Sequence, residues 1–214
     1  MKKKSWIAII LLNAFVLWTA AVTSVDVAPI GPSGSSVGFA VLNGWFHRLT
    51  GVHITLYTVT DWLGLVPIAV AVLFAMIGLC QWIRRKRLAL VDADIWLLGA
   101  FYIVIIAVYL LFEMVVINYR PVLIEGVLEA SYPSSTTLLT LCVMGTAFLQ
   151  ARRRIGRLAV RCVVMVLLAA FCGFMVLGRL LSGVHWFTDI VGGILLSGGL
   201  VTWYDGACHR ITRK

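Results

Sequence analysis

The chain has 214 residues, of which 61% are hydrophobic and only 13% are charged, and its formal net charge is +9. An ordinary soluble domain is about one-half apolar and one-quarter charged. This composition excludes a water-soluble globule and also disordered, collagen-like and disulfide-scaffold proteins. It predicts an all-α polytopic membrane protein.

The apolar runs divide this chain into membrane spans. A span needs about 20 residues to cross about 30 Å of hydrocarbon. The apolar part of the fourth run, Leu138–Leu149, is short enough for a re-entrant piece, but it becomes a full span if its helix begins at Pro133. We predict six spans with both termini on one side, at about 6–25, 63–82, 95–117, 133–149, 159–181 and 185–203.

The segment between the first two spans, about 26–62, is the longest loop outside the membrane. Its apolar residues recur at helical spacing, which predicts a short helix lying in the membrane interface. Such a helix serves either as a simple anchor or as a lid, in which His47, Arg48 or His53 touches a lipid headgroup. The apolar residues are Leu42, Trp45, Phe46 and Leu49.

The basic residues give the orientation. Four clusters hold fifteen of the 18 Lys and Arg residues, and all four fall on one side of the six-span plan. By the positive-inside rule this side is cytoplasmic. The excess charge is therefore a topology signal, and we expect no nucleic-acid partner. The clusters are Lys2, Lys3 and Lys4; Arg84, Arg85, Lys86 and Arg87; Arg152, Arg153, Arg154, Arg157 and Arg161; and Arg210, Arg213 and Lys214.

Three polar clusters gather on the opposite, outer side, at residues 113–121, 130–137 and 178–189. They contain Arg120 and Arg179, two of the three basic residues outside the cytoplasmic clusters. A guanidinium is a fork-shaped donor that suits phosphate oxygens. These arginines are either phosphate ligands or interfacial anchors, which would pair with Glu125 and Glu129.

The second and third clusters add the other groups that phosphate chemistry needs. Ser134, Ser135 and Thr136 begin a helix, whose free N–H groups and hydroxyls would bind an anion, although serines here are also ordinary helix caps. His185 and Asp189 are four residues apart, so on a helix they share a face. A carboxylate there can orient the imidazole for nucleophilic attack. Alternatively, His185 and Asp189 form a hydrogen bond with a purely structural role.

In this order on these spans, the three clusters resemble the type 2 phosphatidic acid phosphatase superfamily. The family's pattern is a Lys, six residues and Arg-Pro; then Pro-Ser-Gly-His; then Ser-Arg, five residues, His, three residues and Asp. The third motif matches in Arg179, His185 and Asp189, with Gly178 in place of Ser. Arg120 matches the first motif, and Ser134 the second.

The resemblance implies a mechanism in which His185 attacks phosphorus and forms a phosphohistidine, Asp189 orients it, and water hydrolyses the intermediate. Two departures bear on this. Glu113 stands where the family has Lys; seven residues before Arg120, it would share a helical face with that arginine and pair with it or another cation. Thr136 stands where the family has the His that protonates the leaving oxygen; His53 or Glu129 could move in as the acid.

Loss of a general acid costs about 10²–10⁴-fold in rate, most severely for an alkoxide leaving group. A phosphate monoester, with a second pKa of roughly 6, leaves far more easily. The sequence therefore favours a polyprenyl or other lipid diphosphate over a simple phosphatidate.

We expect a single domain over residues 1–214, in the cytoplasmic membrane of a bacterium, with its active site facing outward. The expected function is hydrolysis of an amphiphilic lipid phosphate or diphosphate. Two alternatives stay open. The protein could be a lipid-phosphate binder or transporter without catalysis, or a phosphotransferase that uses the same residues. We expect no metal and no cofactor, because no other His or Cys lies at ligand spacing from His185. The oligomeric state is left open.

Overall fold

The computed structural model describes residues 2–211, so Arg213 and Lys214 of the last basic cluster lie outside it, as does the side chain of Lys2. Within that range the secondary structure is helical, with only isolated β-bridges besides, and the predicted all-α class is confirmed. The helices are α1 (Lys2–Ser24), α2 (Ala40–Thr50), α3 (Ile54–Leu63), α4 (Leu65–Arg85), α5 (Ala93–Met114), α6 (Ser135–Arg154), α7 (Leu158–Leu181) and α8 (Phe187–Ile211).

Five helical segments of the described chain are long and apolar enough to cross a membrane, so the chain is an integral membrane protein. They correspond to five of the six predicted spans. The predicted fourth span is α6, which has 20 residues but buries several polar side chains, among them Thr140, Thr146 and Gln150. Because α7, α8, α4 and α5 surround α6, its polar groups are shielded from lipid. The count of six spans stays a prediction.

The predicted short helix is present as α2, and its position in the membrane interface stays a prediction. Its polar side faces the protein, where Asn43 is fully buried and its amide donates to the Gly38 carbonyl and the Thr188 hydroxyl. Its apolar side faces outward, with Val41 and Leu49 exposed. This arrangement suits a helix whose apolar side lies in lipid.

The basic clusters lie together at one end of the bundle, and ion pairs and hydrogen bonds connect them there. Both described ends of the chain are at this end, because Lys4 near the N-terminus pairs with Asp205 of α8. The assignment of this end to the cytoplasm stays a prediction. The other contacts are Arg153 with Asp205, Arg210 with Ser5, Arg85 with Asp92, and Arg154 with Asp92 and Asp94.

At the other end, residues 115–134 form a hairpin-like loop. The Arg120 N–H donates to the Glu129 carbonyl at 3.0 Å, and the Ser131 N–H donates to the Asn118 carbonyl at 2.9 Å. The chain reverses at Glu125 and Gly126, both of which have positive φ angles. Because α5 ends at Met114, Arg120 does not continue the helix that carries Glu113, and our expectation that these two share a helical face is wrong.

The segment formed by α3 and α4, Ile54–Arg85, has 32 residues. At 1.5 Å per residue it extends about 48 Å, longer than the hydrocarbon layer, so α3 has length to spare beyond the span. It packs against α7 at Gly178, where an added Cβ would lie 2.6 Å from the Thr60 Cγ2 atom. The Ser that the family pattern has at this position would therefore clash with α3.

We expect Gly178→Ser, which restores the family residue, to lower the free energy of unfolding in detergent by about 1–3 kcal/mol, since overpacking costs that much. The measurement is denaturation by an ionic detergent, followed by circular dichroism. Gly173→Ser is the matched control, because nothing lies within 4 Å of a Cβ added at that position of α7. Thr60→Ser should rescue the variant, because it removes the clashing methyl. Equal stability of the Gly178 and Gly173 variants would contradict this account.

Candidate active site

The predicted site residues lie on segments that meet at the end of the bundle opposite the basic clusters. Hydrogen bonds tie the loop between α7 and α8 to its neighbours. The Trp186 indole N–H donates to the Tyr119 carbonyl of the hairpin at 2.7 Å, and the His53 N–H donates to the Ser182 carbonyl at 2.9 Å. The Ser134 N–H, just before α6, donates to the Asp189 carbonyl of α8 at 3.1 Å. These hydrogen bonds hold the segments of the site in fixed positions relative to one another.

Two arginines form the centre of the site. Arg179 of α7 is 1% exposed and Arg120 of the hairpin is 8% exposed. Both guanidinium groups lie over the Tyr57 ring of α3, with centroid distances of 4.9 Å for Arg179 and 5.9 Å for Arg120. Two positive charges buried around one ring repel each other, so the site favours an anion between them.

Carboxylates accompany these arginines but leave N–H groups without acceptors. The Glu129 Oε2 atom lies 3.0 Å from the Arg120 Nε atom, and the Asp61 Oδ1 atom lies 3.5 Å from the Arg179 Nη1 atom. Neither contact has the direction of a hydrogen bond, and within residues 2–211 the Nε and Nη1 groups of both arginines are buried without a hydrogen-bond acceptor. Such groups are suited to bind phosphate oxygens.

His185 lies beside these arginines. It is 3% exposed, and its Nε2 atom lies 3.2 Å from the Arg179 Nη2 atom. Burial lowers the pKa of His185 well below its usual value of 6.5, and the positive charges of Arg179 and Arg120 lower this pKa further. The imidazole is therefore neutral at physiological pH, which is the protonation state that a nucleophile requires.

Asp189 is fully buried near the start of α8 and is held by directed hydrogen bonds. Asn118 Nδ2 donates to its Oδ1 atom at 3.2 Å, and the Trp186 N–H donates to its Oδ2 atom at 2.9 Å. His185 precedes α8, so the expected placement of His185 and Asp189 on one helix face is wrong. The Asp189 Oδ2 atom lies 3.8 Å from the His185 Nδ1 atom, and the Ser131 hydroxyl contacts both groups.

The three predicted anion-binding residues at the start of α6 differ in their surroundings. Ser134 is fully buried and is the N-cap, since its hydroxyl accepts from the Thr137 N–H. Ser135 and Thr136 are half-buried and line a cavity of about 560 Å³, together with Asp61. The structure therefore gives Ser134 a capping role and leaves Ser135 and Thr136 at a cavity that could receive a ligand.

Glu113 lies apart from the arginines. It is exposed at the end of α5 and lines a small cavity with Ser131 and Ser135. In the part of the chain that the structure describes, Glu113 forms no ion pair, whereas Arg120 pairs with Glu129, one of the two partners we considered. No group of three His, Cys, Asp or Glu side chains able to hold a metal occurs between residues 2 and 211.

Sequence reasoning missed four residues of this site. Asn118 and Ser131 lie inside the polar clusters, and their polar side chains next to motif residues were the available signal. Tyr57 and Asp61 lie on α3, in a segment that we treated only as part of an interfacial anchor or lid. No motif marked them, because only the fold brings α3 against α7.

Comparisons with known proteins bear on the family and the fold of this chain. Residues 115–209 match the sequence pattern of the PAP2 superfamily, so the predicted resemblance is confirmed over that segment. The fold resembles the crystal structure of a transmembrane PAP2-type phosphatidylglycerolphosphate phosphatase from Bacillus subtilis, with 17% identity, a TM-score of 0.64, and coverage of 97% of this chain and 98% of that chain. No curated protein sequence matches this chain.

We expect the His185 imidazole to stay neutral at pH 6, because burial and two arginines oppose its protonation. Nitrogen NMR of histidine-labelled protein in detergent measures this titration. Arg120→Gln removes one positive charge and should raise the pKa toward 6.5. In the unfolded chain this imidazole has its usual pKa near 6.5, whereas in the folded chain its pKa is lower. Above about pH 6.5 both states are neutral and the group leaves the free energy of unfolding unchanged. As the pH falls below that value, the unfolded chain binds a proton first, so the free energy of unfolding decreases. A wild-type pKa at or above 6.5 would contradict the assignment.

Proposed function

We propose that this chain, whose residues 115–209 match the PAP2 superfamily, is a membrane-embedded hydrolase of lipid phosphates or diphosphates. One observation carries the proposal. A buried neutral histidine lies with its Nε2 atom beside Arg179, and Arg179 and Arg120 together present buried N–H groups without acceptors in the described chain. A phosphoryl group would satisfy those donors and bring phosphorus to the nucleophile.

Phosphate binding in this proposal is an exchange of anions. The phosphoryl oxygens accept hydrogen bonds from the Nε and Nη N–H groups of Arg120 and Arg179. The carboxylates of Glu129 and Asp61 move away from these arginines. Both carboxylates are able to move away, because their side chains are 40% and 57% exposed, whereas the guanidinium groups are fixed by burial over Tyr57. The arginines are thus preorganised for the transition state.

The chemical step follows from the position of His185. When the Arg179 Nη2 N–H donates to a phosphoryl oxygen in place of Nε2, the Nε2 lone pair becomes free while the guanidinium stays over the Tyr57 ring. Nε2 then forms a bond to phosphorus while the bond from phosphorus to the leaving oxygen breaks, and the electron pair goes to that oxygen. Water next attacks the phosphohistidine, the N–P bond breaks, and its electrons return to Nε2. The protons of the water go to the phosphate formed and to solvent. The products are inorganic phosphate and the lipid with one phosphate fewer, which is the lipid monophosphate when the substrate is a diphosphate.

The apolar part of the substrate has a place next to this chemistry. The cavity of about 560 Å³ has Asp61, Ser135 and Thr136 at its polar end. Its remaining lining is mostly apolar and comes from α4, α5 and α6, including Ile68 and Ile105. A lipid chain in this cavity would hold its headgroup near Arg179, since Asp61 contacts that arginine. This favours an amphiphilic substrate over a soluble phosphate ester.

Thr136 refines the substrate class. Its hydroxyl cannot protonate a leaving oxygen at neutral pH, so the reaction is easiest when the leaving group is itself a phosphate. We therefore propose a lipid diphosphate, such as a polyprenyl diphosphate, as the preferred substrate. The site would face the outer side of the cytoplasmic membrane, because the basic clusters lie at the opposite end of the bundle.

The first test is phosphate release from a panel of lipid phosphates and diphosphates by the purified protein. His185→Ala should abolish release, because it removes the attacking atom, and a labelled phosphoryl group should be found on His185 of the wild type by mass spectrometry. Equal release by both proteins would overturn the proposal. Binding without turnover would identify the protein as a binder or transporter, and transfer of the phosphoryl group to an added alcohol would identify a phosphotransferase.

A second test concerns the leaving group. Thr136→His should raise the rate on a polyprenyl monophosphate by at least about tenfold, because a general acid is typically worth about 10²–10⁴-fold. The rate on the diphosphate of the same polyprenol should change by less than about threefold, because its leaving group needs no acid. Thr136→Asn is the matched control, similar in size but unable to give up a proton. Equal gains on both substrates, or with both variants, would contradict the leaving-group argument.

A further inference from the structure

Ser131 lies between the nucleophile and the carboxylate that was expected to orient it. Its Oγ atom is 3.1 Å from the His185 Nδ1 atom, and its hydroxyl donates to the Asp189 Oδ2 atom. The direct distance from Nδ1 to Oδ2 is 3.8 Å, which is too long for a hydrogen bond. All three residues are buried, so Ser131 is the group through which Asp189 reaches the imidazole.

The available hydrogens determine which atom donates in each hydrogen bond of the series from His185 through Ser131 to Asp189. A carboxylate only accepts hydrogen bonds, so the single Ser131 hydroxyl proton points to Asp189. The Ser131 oxygen therefore offers a lone pair to His185, and the Nδ1 atom must carry a hydrogen to donate to it. In a neutral imidazole, the Nε2 atom is then without a hydrogen and holds the free lone pair.

The contact on the opposite side of the imidazole, with Arg179, independently selects the same tautomer. The Arg179 Nη2 group lies 3.2 Å from Nε2, and a guanidinium can only donate. Nε2 must therefore be the acceptor. Both neighbours of the imidazole select the form with its hydrogen on Nδ1 and its lone pair directed to the arginines.

The backbone fixes where the Ser131 hydroxyl lies. The Ser131 N–H donates to the Asn118 carbonyl across the hairpin, and the Asn118 side chain in turn donates to the Asp189 Oδ1 atom. Asp189 thus receives side-chain hydrogen bonds from both sides of the hairpin. This frame holds the Ser131 hydroxyl between Nδ1 and the carboxylate.

We propose that Ser131 is a positioning residue, which fixes His185 in the tautomer with its lone pair on Nε2 and transmits the stabilising charge of Asp189 to the imidazole. The proposal rests on the proposed function for its effect on rate. As Nε2 bonds to phosphorus and the leaving oxygen takes the electron pair of the broken bond, the imidazole becomes positive. The Nδ1 hydrogen stays in place, and the chain from Ser131 to Asp189 stabilises that charge until water displaces the phosphoryl group.

The test is nitrogen NMR of the full-length, histidine-labelled protein in detergent without substrate, together with kcat and KM on the best substrate of the panel. The wild type should show the Nδ1–H tautomer of His185. Ser131→Ala leaves Arg179 as the side chain that still selects this tautomer, so it should measurably lower the Nδ1–H population without abolishing it. It should lower kcat with little change in KM, by less than the roughly 10⁴-fold that a fully wrong tautomer costs. Ser131→Thr, which keeps the hydroxyl, should restore both the tautomer and most of kcat.

Ser197→Ala is the control, because Ser197 is a buried serine of α8 whose hydroxyl donates to the Gly193 carbonyl of the same helix. It should change neither the tautomer nor kcat. The proposal is overturned if the wild type shows the Nε2–H tautomer, or if Ser131→Ala leaves the tautomer populations or kcat unchanged from the wild type. If the wild type hydrolyses none of the lipids but Ser131→Ala still changes the tautomer, the proposed function fails and the role of Ser131 in fixing the ring stands.

Discussion

Two buried positive charges impose the main constraint on this structure. Arg120 and Arg179 share the face of one tyrosine, and neither could lie there beside the other without anions nearby. The fold supplies Glu129 and Asp61 at the edge of the site, where both remain partly exposed. The neutral state of His185 follows from its burial and from the same two charges, because a third positive charge would add to the repulsion. Electrostatics therefore couples the proposed nucleophile to the proposed anion site.

The hairpin and the start of α8 fix the positions of the charged and polar groups around His185. The hairpin carries both Arg120 and Ser131, so one piece of backbone places the proposed phosphate ligand and the residue proposed to orient His185. Asp189 connects this hairpin to α8 through two hydrogen-bond donors, the Asn118 amide and the Ser131 hydroxyl, and also accepts from the Trp186 N–H just before α8. A catalytic role for Asp189 does not require direct contact with the imidazole, since the intervening hydroxyl has one donor and one acceptor in the required directions.

Much of this architecture could be predicted from composition and motif spacing. Apolar runs, the basic clusters and the third motif gave the helical membrane class, most helix positions and the grouping of Arg179 with His185. The errors came from assuming helices where the chain is irregular: α5 ends before Arg120, and α8 begins after His185. Tyr57 and Asp61 could not be predicted, because their role depends on the contact of α3 with α7, and that contact has no local sequence signal.

The inverted polarity of α2 has a consequence for how the protein would meet its substrate. Asn43 is turned inward and Val41 and Leu49 outward, which suits a segment at the depth of the lipid headgroups, and this segment contacts the loop before His185. Under the proposed function, a lipid headgroup would then reach the arginines by lateral diffusion within the membrane. The quantity that governs turnover would be the mole fraction of the lipid within the bilayer, so added neutral lipid would dilute the substrate even when its total concentration in the sample is constant.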